Sequence, residues 1–260
     1  MAELKKTKGA TPEPSAPVPY DWSQNQGAGF ENVNREDLGI PFLVILQKGS
    51  PQIDPDHADH ASKKIANAKV GDIIHSITNE ILWTTGQPPL VFIPCTYERL
   101  YMEWKDRVSG GGMVKAHREA EILTECRRNE KGQDVMKNGN IIVTTAYFYG
   151  FLMEREERVA CVIGLSSTQL KKARTWLNLM MTRKVQSTKG LITPPMFSHS
   201  YLLSTVAESN EKGNWRGWKV DSGPMVTDPN LIVDLIAYQK RATTMSSAAL
   251  PPSPEGDDKY

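Results

Sequence analysis

The middle of the chain consists of apolar runs separated by turn-forming residues, a pattern that predicts β-strands. The predicted strands cover residues 40–46, 71–77, 81–85, 88–104, 141–154, 157–165, 197–208 and 215–220. Pro94 predicts a bend or bulge in the longest strand, because proline cannot donate a hydrogen bond to a neighbouring strand. The dipeptides Lys131-Gly132 and Asn138-Gly139 are typical of turns between strands.

Two segments instead repeat apolar residues at spacings of three and four, which predicts amphipathic helices. The first covers residues 167–184, with Ser167 as the expected N-cap. The second covers residues 228–242 and opens with Asp228-Pro229, a capping residue followed by one that suits the first helical turn.

These elements predict a mainly β (α+β) fold, an antiparallel scaffold with long hairpins and two helices. An oligonucleotide-binding (OB-type) Greek-key barrel fits best, because such barrels accept long strands and an intervening helix. Another β-barrel or an α+β sheet fits the same pattern. We expect one domain over residues 31–243. The flanking segments 1–30 and 244–260 are rich in Pro, Ala and Ser and poor in core-forming residues, so they are predicted to be disordered tails.

Composition narrows the class of protein. The chain carries 31 basic and 30 acidic residues, for a net charge of +1. Its three cysteines are widely spaced and odd in number, which argues against a disulfide framework or a zinc cage. No apolar run reaches the length of a membrane helix, and no apolar segment follows the basic N-terminus as in a secretory signal. An intracellular protein that does not bind a membrane is the simplest interpretation.

Enzymatic signatures are weak. The segment DPDHADH (54–60) gathers carboxylates and histidines, yet its spacing fits a polar loop better than a metal site. The segment SGGGMVK (109–115) lacks the pattern of a phosphate-binding loop, so its glycines more simply form a mobile loop. We therefore expect no catalytic residue, no metal and no cofactor. A metal-dependent nuclease is a minor alternative.

Aromatic rings alternate with charges in YERLYMEWKDR (97–107). In a strand, one face would carry the tyrosines with arginine and lysine, and the other face would carry Trp104. Rings beside cations suit unpaired nucleic acid, which exposes both base faces and phosphates. Two more clusters, AYFYGF and NWRGWK, share this mixture; packing in a core is the alternative for all three. The stacking candidates are Tyr97, Tyr101, Trp104, Tyr149, Trp215 and Trp218.

Basic residues are also concentrated in one acid-free stretch. Between Ser166 and Leu191 there are six basic residues and no acidic one. Such a helix either attracts a polyanion or is an ordinary solvated face. The candidate phosphate contacts, from this stretch and from 97–107, are Arg99, Lys105, Arg107, Lys171, Lys172, Arg174, Arg183 and Lys184.

Four segments together resemble bacteriophage single-stranded DNA-binding proteins of replication and recombination. They are IPFLVILQKGSPQ (40–52), IPCTYERLYMEWKDRVSGGGMV (93–114), NGNIIVTTAYFY (138–149) and SSTQLKKARTWLNLM (166–180). The resemblance implies an OB-type core that coats and protects single-stranded DNA without sequence specificity, in the cytoplasm of the infected host cell.

The same resemblance implies a partner-binding acidic tail that ends in an aromatic residue. Replication or recombination proteins would bind it through Glu255, Asp257, Asp258 and Tyr260, although Lys259 interrupts the negative run. Three alternatives stay open: self-association into a homo-oligomer, annealing of complementary strands, and a virion or host-interaction protein that does not bind DNA.

Overall fold

The structure is a computed structural model, and it describes residues 41–106, 111–154, 157–211 and 213–245, together with Ala28. Apart from Ala28, these residues belong to one compact unit, Gly39–Tyr260. The predicted tails lie outside the described residues, except for Ala28 and for positions 244 and 245.

The strands are β1 (Leu43–Ile45), β2 (Ile73–His75), β3 (Ile81–Trp83), β4 (Leu90–Trp104), β5 (Met113–His117), β6 (Arg127–Arg128), β7 (Asp134–Val135), β8 (Ile141–Glu154), β9 (Glu157–Ser166), β10 (Val185–Ser187), β11 (Gly190–Ile192), β12 (His199–Asn210) and β13 (Gly213–Met225). The helices are α1 (His60–Lys63), α2 (Leu170–Thr182) and α3 (Pro229–Met245). Short 3-10 turns cover Ala120–Glu125, Ser167–Gln169 and Met196–Ser198.

The fold is mainly β, as predicted, and its largest sheet is a curled antiparallel half-barrel. Its strands follow the order β13-β12-β4-β8-β7-β6, with β5 also paired to β4 and β9 to β8. The strands β1, β2 and β3 form a second sheet, in which the predicted hairpin of β2 and β3 is confirmed. A third sheet contains only β10 and β11.

The pairing of β4 with β8 forms the centre of the large sheet. Its register runs from Val91 opposite Met153 to Trp104 opposite Ile141, and it shifts at the expected position, between Pro94 and Thr96. Gly150 lies opposite Pro94. A Cβ atom at Gly150 would overlap the backbone of β4 and the ring of Phe92, so this close approach requires glycine.

Two hydrophobic cores lie on opposite faces of β4, β8 and β9. The first core joins these strands to β1, β12, β13 and the apolar side of α2. Within it, the Trp176 ring of α2 stacks on Phe148, with 4.2 Å between ring centroids. The second core includes Tyr147 and Tyr149 of β8, and the loop after β1 packs against it through Ile53 and Ile65. A smaller third core lies under α3, around Leu231 and Leu235.

Strand β1 lies between β9 and β13. The backbone N–H of Val162 donates to the carbonyl of Pro41 (2.9 Å), next to a parallel bridge between Phe42 and Val162. On the other side, the Gln47 side chain donates to the carbonyl of Arg216 (2.8 Å) and accepts from its N–H (2.9 Å). A side-chain amide therefore takes the place of a strand at this edge of β13.

The predicted helices are confirmed, with shifted ends. Ser167 lies in a 3-10 turn with φ of 47°, and α2 starts only at Leu170, without a side-chain cap. At α3 the Asp228 carboxylate accepts the N–H of Asn230 (2.9 Å), as expected of a cap, and the helix continues to Met245, beyond the predicted boundary at 243. Among the described residues, no helix combines the length and apolarity that crossing a membrane requires.

Candidate nucleic-acid interface

The tyrosines of β4 are packed within the fold, Tyr97 against the core that contains α2. Tyr97 packs against Phe148 with 5.1 Å between ring centroids, and Phe148 in turn stacks on Trp176. Tyr97 is half-buried, and its hydroxyl has no hydrogen-bond partner among the described residues. Tyr101, two residues further along this face, is only 7% exposed. These rings offer no free face to a base in this arrangement.

On the opposite face of β4, Trp104 is half-buried against the second core, as strand alternation predicts. Tyr149 is 6% exposed in the same core, and its hydroxyl donates to Glu98 (3.3 Å). Burial, followed by the neighbouring Glu98 charge, raises the pKa of Tyr149. Tyr149 is therefore a buried neutral phenol, which does not fit the predicted stacking role.

The two predicted tryptophans of β13 also have structural contacts. Trp218 is 4% exposed and belongs to the first core. Trp215 is half-buried, and its indole N–H donates to Glu208 (2.8 Å). Of the six stacking candidates, three are buried and three are half-buried, so the structure gives no stacking platform among them.

Lys172, a predicted phosphate contact, anchors α2 to the sheet. Its ammonium lies 2.7 Å from the Glu208 carboxylate and donates to the carbonyl of Trp218 (2.5 Å). Gln169 donates to the same carboxylate (2.9 Å) and accepts the N–H of Trp218 (3.0 Å). Burial opposes the charge on Glu208, but the hydrogen bonds from Lys172, Gln169 and Trp215 outweigh it and lower the pKa of Glu208.

The lowered pKa of Glu208 predicts a pH dependence of stability. Because the folded-state pKa lies below the unfolded one, this contribution is complete above about pH 4.3 and is lost as pH falls through the folded pKa. Replacing Glu208→Gln should flatten that acid-side loss. Urea unfolding at a series of pH values from 7 to about 3 measures it. The exposed Glu211→Gln is the control, and equal pH profiles for Glu208→Gln and the wild type would contradict the prediction.

Arg183, another predicted phosphate contact, also packs against the sheet. Its guanidinium donates to the Ser222 hydroxyl and lies over the Tyr201 ring, 5.8 Å from the centroid. Burial, followed by the Arg183 charge, lowers the pKa of nearby His199. Half-buried and in contact with Tyr201 and Ser222, Arg183 joins the end of α2 to β12 and β13.

Four exposed cations lie on α2 and on the hairpin that follows it in the chain. Along α2, Lys171, Arg174, Asn178 and Met181 recur at spacings of three, four and three, so they form one stripe, about 15 Å long. The β10–β11 hairpin follows directly and adds exposed residues of its own. We call this set the α2–hairpin surface; it consists of Lys171, Arg174, Asn178, Met181, Lys184, Gln186, Lys189 and Leu191.

The charged side chains of the α2–hairpin surface are all positive. No acidic residue occurs from Arg158 to Ala207. Within the ranges that the structure describes, the four cations of the surface form no ion pair, and Lys184 donates only to the Thr193 hydroxyl (2.6 Å). Lys189 belongs to the acid-free basic stretch but not to the predicted phosphate contacts. Its exposed position in the turn between β10 and β11 makes it a further candidate contact.

The predicted cations of β4 belong to another element. Arg99 and Lys105 are exposed, and Arg99 pairs across the sheet with Ala146. Arg107 lies outside the described residues. The structure thus divides the predicted phosphate contacts between β4 and the α2–hairpin surface.

The polar segment 54–60 forms a loop and the short helix α1. The Asp54 carboxylate and the His57 ring accept backbone N–H groups two residues ahead, both at 3.1 Å. In the part of the chain that the structure describes, no three metal-ligating side chains come together.

Comparison with known proteins identifies a family. A family model described as Pam3 phage gp34-like protein matches residues 6–242. No curated protein and no solved structure matches the chain.

Proposed function

The chain belongs to the Pam3 phage gp34-like family, and from that premise we propose that this phage protein binds single-stranded DNA without sequence specificity. It would coat and protect unpaired strands during phage DNA replication or recombination, and the α2–hairpin surface would hold their phosphates. The proposal includes no catalytic step and no cofactor.

The proposed architecture is an OB-type barrel, and its support is the order of elements. Strands β4, β8 and β9 are successive antiparallel neighbours; α2 follows, then β12 and β13, with β12 paired back onto β4. A five-stranded Greek-key barrel with a helix between its third and fourth strands has this connectivity. Strand β1 would fill the gap between β9 and β13.

The proposed DNA-binding site does not lie where OB-type barrels usually bind oligonucleotides. OB-type barrels bind oligonucleotides on the outer face of their second and third strands. Here that face would carry Tyr147, Tyr149 and Val162, all buried in the second core with Phe42. Because the usual face is covered, the proposal assigns DNA to the α2–hairpin surface.

The observation that carries the proposal is the exposed stripe of unpaired cations on that surface. Like charges repel one another along a stripe unless a polyanion lies against them, and single-stranded DNA supplies regularly spaced phosphates. Helix and hairpin together would engage four cations, Lys171, Arg174, Lys184 and Lys189.

Titration of a fluorescent dT oligonucleotide at several salt concentrations tests the proposal. With four phosphate contacts, log K should fall with log[salt] at a slope of about −3. Mixed-sequence oligonucleotides of equal length should bind with similar affinity. No binding at about 20 mM salt would contradict the proposal.

The burial of Tyr101, Tyr149 and Trp218 favours a second candidate. Rings that belong to cores suit a virion or host-interaction protein that has no DNA to bind. The same titration separates the two candidates, because the second one predicts no affinity at any salt concentration.

A further inference from the structure

The β10–β11 hairpin is paired to no other strand in the described ranges. Its register places Val185 opposite Ile192, and Gln186 opposite Leu191. Because cross-strand partners share a face, Gln186 and Leu191 point to the same side, where both are exposed. Leu191 is 71% exposed and Met181, at the preceding helix end, is 67% exposed. The end of α2 and the hairpin thus each present a large apolar side chain to solvent.

The residues around these apolar side chains indicate which partner would bind this surface. Lys184 and Lys189 flank Leu191 on the hairpin, and Arg174 shares the helix stripe with Met181. A second copy of the chain, docked by a two-fold axis through this patch, would bring the cations of one copy close to the cations of the other. Unpaired DNA offers what this mixture requires, phosphates for the cations and open base faces for the apolar side chains.

We propose that Leu191 and Met181 contact base faces and thereby make the α2–hairpin surface selective for unpaired over duplex DNA. The inference rests on the proposed function and adds the selectivity of that site. In a duplex the base faces are stacked on one another, so only the phosphates remain for the cations. Aliphatic side chains that reach base faces in a duplex must first unstack neighbouring bases, a cost that unpaired DNA avoids.

The Leu191→Ser variant of the full chain tests the inference. Its affinity for a dT oligonucleotide should fall about tenfold, while its weaker affinity for a duplex of equal length should stay unchanged. Ile77→Ser is the matched control, because Ile77 is 52% exposed in the turn between β2 and β3. A 2-aminopurine base in the oligonucleotide should change fluorescence with the wild type and less with Leu191→Ser. Circular dichroism verifies that each variant is folded.

A second variant, Leu191→Phe, gives an independent result. An aromatic ring offers a larger face for stacking, so it should tighten binding to the dT oligonucleotide and leave duplex binding unchanged. Equal single-strand affinity for the wild type, Leu191→Ser and Leu191→Phe would overturn the inference.

The outcomes separate the inference from the function on which it rests. If the wild type fails to bind the dT oligonucleotide, the proposed function fails. If the wild type binds and both Leu191 variants bind equally well, only the inference fails. If Leu191→Ser instead abolishes self-association seen by light scattering, with DNA affinity unchanged, the hairpin is an interface between copies and the inference is overturned.

Discussion

The double variant Lys171→Glu/Arg174→Glu should bind single-stranded DNA about 100-fold more weakly than the wild type at low salt. Both side chains are exposed and lie three residues apart on the stripe of α2, so they would contact neighbouring phosphates. Reversal replaces two attractions by two repulsions. Fluorescence anisotropy with a dT oligonucleotide measures the loss, and the salt dependence should weaken in parallel.

The control for this variant is Lys64→Glu/Lys69→Glu, which reverses two exposed cations in the loop before β2. It makes the same change in net charge away from the α2–hairpin surface, and its DNA affinity should fall far less. Equal losses in the two variants would indicate a general charge effect. An unchanged affinity of Lys171→Glu/Arg174→Glu would exclude the α2 stripe as the binding surface.

Gly150→Ala should destabilise the fold by about 3 kcal/mol or more. The new Cβ would overlap the carbonyl oxygen of Ile93 and the ring of Phe92, and both neighbours are buried at the centre of the β4–β8 pair. A backbone atom in a central strand cannot move aside as a flexible side chain does. Urea unfolding measures the change in the free energy of unfolding.

Gly86→Ala serves as the control for Gly150→Ala. A Cβ at Gly86 meets no atom within 4 Å, but its φ of +99° disfavours alanine. This variant should lower the free energy of unfolding by about 1 kcal/mol, which is the effect of backbone conformation without steric overlap. Equal stabilities of Gly150→Ala and the wild type would contradict the register that the structure assigns to β4 and β8.

Strands that lie in an apolar run could be predicted from the sequence, including the short strands β1, β2 and β3, whereas short strands without such a run could not. The pattern over 141–154 coincides with β8, and the pattern over 88–104 differs from β4 by two residues, because many positions repeat the period of a strand. The pairs β6–β7 and β10–β11 contain two or three residues per strand. Such short segments become strands only through their partners, and no periodicity reveals that pairing.

The stacking candidates show that a periodic pattern predicts the face on which a ring lies but not whether that face is buried. Alternation predicts correctly that Tyr97 and Tyr101 share one face of β4 and that Trp104 lies on the other. It does not predict what covers each face, because rings interleaved with charges occur both on ligand-binding strands and on half-buried ones. Tyr97 packs against the core that contains the apolar side of α2, which the chain reaches only after two more long strands.

The position of each cation around α2 distinguishes exposed cations from those that pack against the sheet, and the number of cations does not. Lys172 lies one turn before Trp176, beside the buried side of α2, and its ammonium reaches the sheet. Lys171 and Arg174 lie on the opposite side and stay exposed. A helical projection of the sequence could have distinguished these two classes. The contact of Arg183 with Ser222 depends on tertiary packing, which a projection does not contain.

The side chains that cap β13 have a consequence for aggregation. Gln47 occupies both backbone hydrogen-bonding groups of Arg216, while Gln169 and Lys172 occupy those of Trp218. An open strand edge recruits strands from other molecules and can extend into fibrils. Along this stretch the edge has no free groups to offer, so intermolecular sheet growth is blocked there by three polar side chains.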